Sequence, residues 1–164
     1  MKIWIVDAFS NGPFTGNPAA VMIVDDFFSN NLCQKIAAEM NLSETAFVKP
    51  VNDQHFHIRW FTPKVEVKLC GHATLASCHI LRQEGYFKVP ELTLDSLSGP
   101  LKVVNAEPEL TLNFPLQKTG DDFKISDPIA NQLPIIVNAC KALDNLILSS
   151  YRLKAQLMTS AQVW

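Results

Sequence analysis

No stretch limits the fold of this chain more than residues 58–85, which read IRWFTPKVEVKLCGHATLASCHILRQEG. From 73 to 81 almost every side chain is apolar or small, and charge returns only at Arg82 and Glu84, just before Gly85, a residue suited to stopping a helix. A helix that is apolar all round is a buried helix. Its first turn, led by Cys70-Gly71-His72, is then aimed out of the core, where its unpaired backbone N–H groups favour an anion. Upstream, Phe56, Ile58 and Trp60 alternate with His57, Arg59 and Phe61, and Val65, Val67 and Leu69 alternate with Glu66 and Lys68. Both runs have the period of strands, and Thr62-Pro63-Lys64 turns the chain between them.

Around this centre the chain predicts a strand-rich meander. Residues 3–8 read as a strand that Asp7 interrupts. Ser10-Asn11-Gly12-Pro13 and Thr15-Gly16-Asn17-Pro18 are turn clusters, with Phe14 expected to pack between them, and residues 19–24 form the next strand. Leu32, Ile36, Ala37 and Met40 share one helical face, and Asn41 is a suitable stop. A β-prone run at 42–48 carries Glu44 at its mouth. Strands at 92–95 and 101–104 flank Ser98-Gly99-Pro100, and another follows at 110–114.

The character changes after Pro115, so the expected division is a domain at 1–116 and a linker with the beginning of an incomplete second domain at 117–164. There the pattern predicts a short helix from Asp127-Pro128 that ends before Pro134, strands at 135–139 and 146–148, and a tail with Leu153, Leu157 and Met158 at helical spacing.

Fourteen Lys and Arg residues against sixteen Asp and Glu give a net charge of −2 over 164 residues, so no basic surface argues for nucleic acid. The expected partner is a small molecule. The four cysteines lack paired metal-ligand spacing and read as free thiols of a reducing compartment. With no apolar run of membrane length and no signal-peptide pattern at the start, the expected location is the cytoplasm, without membrane contact. His55, His57 and His79 have no acidic or thiol partner at matching spacing, so no metal is expected.

Glu44 is the acid/base candidate. A base that takes a proton from carbon and returns it elsewhere is best served by a carboxyl in a dry cleft with its pKa raised toward the working pH. A solvated loop glutamate or a helix cap is the plainer reading. Gly71 lets backbone approach a ligand and His72 offers ring and backbone donors, yet an ordinary turn and a satisfied polar residue at a helix start account for them equally. Asp7 and Asn17 could line the cleft, although an aspartate here could instead accept backbone hydrogen bonds from the turns, and that structural role is preferred. Cys70 is either a thiolate activated by the helix end or a small core residue, the second being favoured.

Three segments, VDAFSNGPFTGNPAAV (6–21), NLSETAFV (41–48) and IRWFTPKVEVKLCGHATLA (58–76), together closely resemble the phenazine-biosynthesis PhzF-like family. The resemblance covers most of residues 1–115. It implies an α+β, diaminopimelate epimerase-like fold: two similar strand-rich barrels, each around a central helix, with the active site in the cleft between them. It further implies an isomerase that moves a proton between carbons of a small carboxylate without a cofactor. The best-known family reaction isomerises trans-2,3-dihydro-3-hydroxyanthranilate. On the matching positions, Glu44 is the acid/base carboxylate, and Gly71 and His72 bind substrate. Cys70 stands where the related epimerases carry a catalytic cysteine, a role not generally assigned in PhzF-like proteins. Family members continue into a second domain whose acidic motif faces the position of Glu44, and no counterpart is recognisable after Asp127. The alternative expectation is therefore a non-catalytic binding or self-assembling fragment, with a homodimer among its forms.

Overall fold

A computed structural model describes residues 2–12, 14–106 and 109–113, with two further backbone strands at Arg152–Ala155 and Gln162–Val163. The helix expected after Asp127 and the strands expected at 135–139 and 146–148 lie outside the described residues. The chain divides into one unit of Met1–Leu112 with Leu153–Trp164 and another of Asn113–Arg152. Both described helices and the candidate site belong to the first.

The elements in order are β1 (Trp4–Ala8), β2 (Asn17–Ile23), α1 (Asn30–Met40), β3 (Glu44–Pro50), β4 (His55–Phe61), β5 (Glu66–Val67), α2 (Gly71–Gln83), β6 (Glu91–Ser96), β7 (Gly99–Ala106), β8 (Glu109–Asn113), β9 (Arg152–Ala155) and β10 (Gln162–Val163). The described strands form one sheet in the order β10-β1-β2-β3-β4-β6-β7-β8-β9, with β5 paired to β4 off this path. β2 runs parallel to β3, and β4 to β6. Parallel neighbours need a crossover, and the two helices supply them, α1 between β2 and β3 and α2 between β4 and β6.

The two helices account for the composition of the central strands. Ala19, Ala20, Val21 and Met22 of β2 and Thr45, Ala46, Phe47 and Val48 of β3 are all buried, because these strands are covered on both faces. Helix α1 helps close one core, in which Met22, Val24, Cys33, Ala37, Phe47 and Phe61 cluster, with Phe28 and Phe61 meeting the Phe47 ring edge-on. Helix α2 packs on β1, β2 and β3, and its residues from Ala73 to Cys78 are all buried along with Ile80 and Leu81. The apolar helix predicted from the sequence is thus the buried centre of a strand-rich half-barrel. Asn41 ends α1 in the left-handed conformation, φ 51°, and donates its backbone N–H to Ala37.

Three expectations are corrected. Phe14 does not pack between the turns: it is fully exposed at 108%, because Ser10 and Thr15 close the loop with hydroxyl bonds to each other and to Gly12, leaving no apolar seat inside it. The strand expected over Val65, Val67 and Leu69 shrinks to two residues. The Thr62 hydroxyl ties Val65 into a tight turn, Val65 stays exposed at 57%, and the chain then leaves the sheet to enter α2. Leu153, expected at helical spacing, lies in strand β9, and further along the tail Val163 of β10 pairs with Trp4 of β1, whose outer edge offers the backbone groups to do so.

Replacing Phe47 by Ala should cost about 3–5 kcal/mol, since a fully buried ring between two others leaves a cavity. Phe14→Ser should change stability by less than about 0.5 kcal/mol. Urea denaturation of both variants checks the contrast, and similar losses would contradict the two environments.

Candidate active site

Two chain reversals meet at one end of the sheet. The left-handed Asn41 turns the chain out of α1 and, through Leu42 and Ser43, into β3, whose first residue is Glu44. In register, Glu44 stands beside Ala19 of β2, just past Asn17 and Pro18. From the other side the chain leaves β5 through Cys70, extended at φ −149° and ψ 115°, and starts α2 at Gly71. The start of α2 carries no side-chain cap. The Thr74 and Ser77 hydroxyls bond back to the carbonyls of Cys70 and Ala73, which lets these polar side chains sit inside the core.

His72 is the hub. Its Nε2 lies 3.3 Å from Glu44 Oε2 and 3.2 Å from Ser43 Oγ, and its Nδ1 lies 3.3 Å from Cys70 Sγ. Ser43 Oγ in turn donates within 3.2 Å to both Asn17 Oδ1 and the Pro18 carbonyl. Because the Ser43 hydrogen is directed to those acceptors, its oxygen is free to accept from His72 Nε2–H. Burial, with the Glu44 carboxylate adding to it, pushes the Cys70 thiol up to about 12, so it stays protonated and can donate to Nδ1. Burial also lowers the pKa of His72, which Glu44 only partly offsets. These directions agree on a neutral imidazole, and donation from the Cys70 thiol to Nδ1 places its proton on Nε2. Glu44 Oε2 is shielded from solvent and has no hydrogen-bond partner, although His72 Nε2 lies 3.3 Å away.

The structure therefore brings Glu44, His72, Cys70 and Asn17 together, with half-buried Gly71 opening the helix between Cys70 and His72. Asp7 stands opposite Pro18 in the pairing of β1 with β2 and makes no hydrogen bond or ion pair with them among the described residues. Nor does it accept from the turns as expected, since Thr15 Oγ1 takes the N–H groups of Asn11 and Gly12. Gly16 closes this loop at φ +97°, where a Cβ would meet the Ala8 carbonyl at 2.9 Å. Cys70 is 8% exposed, in line with the small core residue favoured from sequence. Ser43 was missed. Its one signal was its place directly before Glu44, whereas its link between Asn17 and His72 exists only in three dimensions. Two surface depressions, one lined by Val51, Phe56 and Tyr86 and the other by Phe27, Arg59 and Leu97, contain none of these residues.

Strands wrap a buried helix here, and a carboxylate faces that helix's start. The sequence matches the family described as phenazine biosynthesis-like protein, PhzC-PhzF, over residues 6–142, and the chain belongs to that family. An uncharacterized isomerase of Pseudomonas aeruginosa is 50% identical over 112 residues, which are 68% of this chain and 42% of that protein. The crystal structure of a phenazine biosynthesis PhzC/PhzF protein from Clostridium difficile superposes with a TM-score of 0.68 at 38% identity, covering 81% of this chain and 51% of that one. A hydroxyproline epimerase from Agrobacterium vitis shares the fold alone, with a TM-score of 0.51 at 11% identity over 68% of this chain and 41% of its own. This chain thus spans about half the length of the relatives it matches or less. Among the described residues no helix is long and apolar enough to cross a membrane.

A pH dependence follows. His79, with a buried Nδ1 that lacks a hydrogen bond, has its pKa lowered by burial and by Arg82, and His72 shifts the same way. A histidine depressed in the folded state binds its proton more readily when unfolded, so stability is full above the ordinary value of 6.5 and is lost as pH falls below it. The urea midpoint should drop between pH 7 and pH 5, and less steeply in His79→Gln. An unchanged slope in that variant would contradict the assignment.

Proposed function

We propose that this chain carries the acid/base half of a PhzF-like isomerase that moves a proton between carbons of a small carboxylate substrate without a cofactor. The observation that carries the reading is the Glu44 carboxyl, with a shielded and unbonded Oε2, set beside neutral His72 at the start of α2. In this reaction ionised Glu44 takes a proton from a substrate carbon, the released electron pair shifts along the substrate's unsaturated system, and the resulting carboxylic acid returns the proton to another carbon. The backbone N–H groups of Gly71 and His72 hold the substrate carboxylate, with Asn17 and Cys70 lining the cleft. Ser43 and Cys70 hold the imidazole in its donor form. Turnover needs a second domain facing Glu44, and the free buried thiols Cys33, Cys70 and Cys78 suit work in a reducing cytoplasm.

Deuterium uptake from heavy water into hydroxylated cyclic carboxylates, followed by NMR, tests the reaction. Glu44→Gln should slow it by at least about a hundredfold with folding intact by circular dichroism. Equal uptake in both proteins would remove Glu44 from the chemistry. The second reading, a binding or self-assembling module that forms a homodimer, is motivated by exposed apolar side chains such as Phe14, Val65 and Leu97. Light scattering over a concentration series separates the two, because a concentration-independent monomer would rule the assembly out.

A further inference from the structure

We propose that Glu44, Cys70 and His72 form a binding site for a thiophilic divalent cation of the zinc class. Among the described residues these three make the one group of at least three potential metal ligands, and their ligand atoms all lie within 4.8 Å of one another. Tetrahedral zinc, with bonds of about 2.0–2.3 Å, holds its ligand atoms about 3.5 Å apart. The separation of 3.3 Å between Glu44 Oε2 and His72 Nε2 is already of that size, whereas Cys70 Sγ rests against the other ring nitrogen, Nδ1, and must swing toward the Nε2 side to close the 4.8 Å group onto one ion.

The donor chemistry fits independently of the distances. One thiol sulfur, one imidazole nitrogen and one carboxylate oxygen are the mixed set that zinc accepts, and three protein ligands leave a fourth position for water. Glu44 Oε2 is shielded and lacks a hydrogen bond, which is a ligand atom without a competing partner. Charge also balances: on coordination the Cys70 S–H bond breaks, its proton goes to solvent, and thiolate plus carboxylate neutralise the 2+ ion around a neutral imidazole. The partly exposed edges of His72 and Glu44, at 10% and 18%, give the ion its way in. The sequence conceals the cluster because Glu44 comes from β3 and its partners from the start of α2, so no spacing motif marks it.

Such binding would place the cation on the groups assigned to substrate and proton, and so block turnover. That consequence rests on the proposed isomerase reading, whereas the binding does not.

Cobalt(II) serves as the probe, since thiolate ligation produces a near-ultraviolet charge-transfer band and tetrahedral geometry produces strong visible bands. Titration of the full chain should give saturable one-to-one binding, with both signals displaced by zinc. Cys70→Ser should abolish the charge-transfer band, and Glu44→Gln and His72→Gln should each weaken binding at least about tenfold. Cys33→Ala, which removes a thiol of the other core, should leave the spectrum unchanged, and circular dichroism confirms that each variant is folded. No charge-transfer band in the parent chain, or a band that survives Cys70→Ser, overturns the site. The spectra are read without substrate, so cobalt binding with no Glu44-dependent deuterium uptake sinks only the isomerase reading, and the reverse result sinks only the metal site.

Discussion

Burial of α2 against β1, β2 and β3 is the constraint from which the rest of the described structure follows. Complete burial of Leu75, Ile80 and Leu81 contributes about 1.5–3 kcal/mol each, and the small Ala73 and Ala76 allow the sheet to approach closely. A helix so enclosed has few ways to present chemistry. Its side walls are sealed by the strands, leaving its ends, and at its N-terminal end Gly71 and His72 remain only partly covered. Strand β3 matters for the same reason, since its pairing with β2 brings Glu44 to that end while Ala46 and Phe47, on opposite faces of the strand, serve the two cores.

The site is a small polar system closed by its own hydrogen bonds. Cys70 and Ser43 approach opposite nitrogens of one ring, and Asn17 and Pro18 set the direction of the Ser43 hydroxyl. Burial of the cluster keeps the thiol protonated and the imidazole neutral, with His72 Nε2 set between the Ser43 hydroxyl and Glu44. The same features suit a substrate carboxylate and a soft cation for different reasons, one using donors and the other using displaced protons.

A second polar interaction holds the outer face of β4. Arg59 grips Glu66 with two bonds of 2.7 and 2.8 Å, adds a bond to Asn30 and lies over the rings of Phe27 and Phe61. It ties α1, β4 and β5 together. This is why Glu66 keeps its place in β5 although Val65 beside it is exposed. In sequence, Arg59 and Glu66 were only the polar members of two alternating runs, and nothing marked them as a pair.

Much of the fold was legible in the residues themselves. Apolar periodicity marked both helices and most of the strands, because burial must match the repeat of the backbone, and Asn41 and Gly85 marked the helix ends because both tolerate positive φ. Loops were less legible: Phe14 was misplaced because hydroxyl bonding, not hydrophobicity, closes its turn, and Val65 because a turn overrode its alternation. For the site, local pattern and family resemblance brought out Glu44, Gly71, His72 and Cys70. Their assembly with Ser43 and Asn17 depended on which strands pair and in what register. The sequence by itself determined that an apolar helix would be buried and that its start would be polar. Only the tertiary structure decided what faces that start, because contact between β3 and α2 arises from sheet pairing between segments distant along the chain, and no local period encodes it.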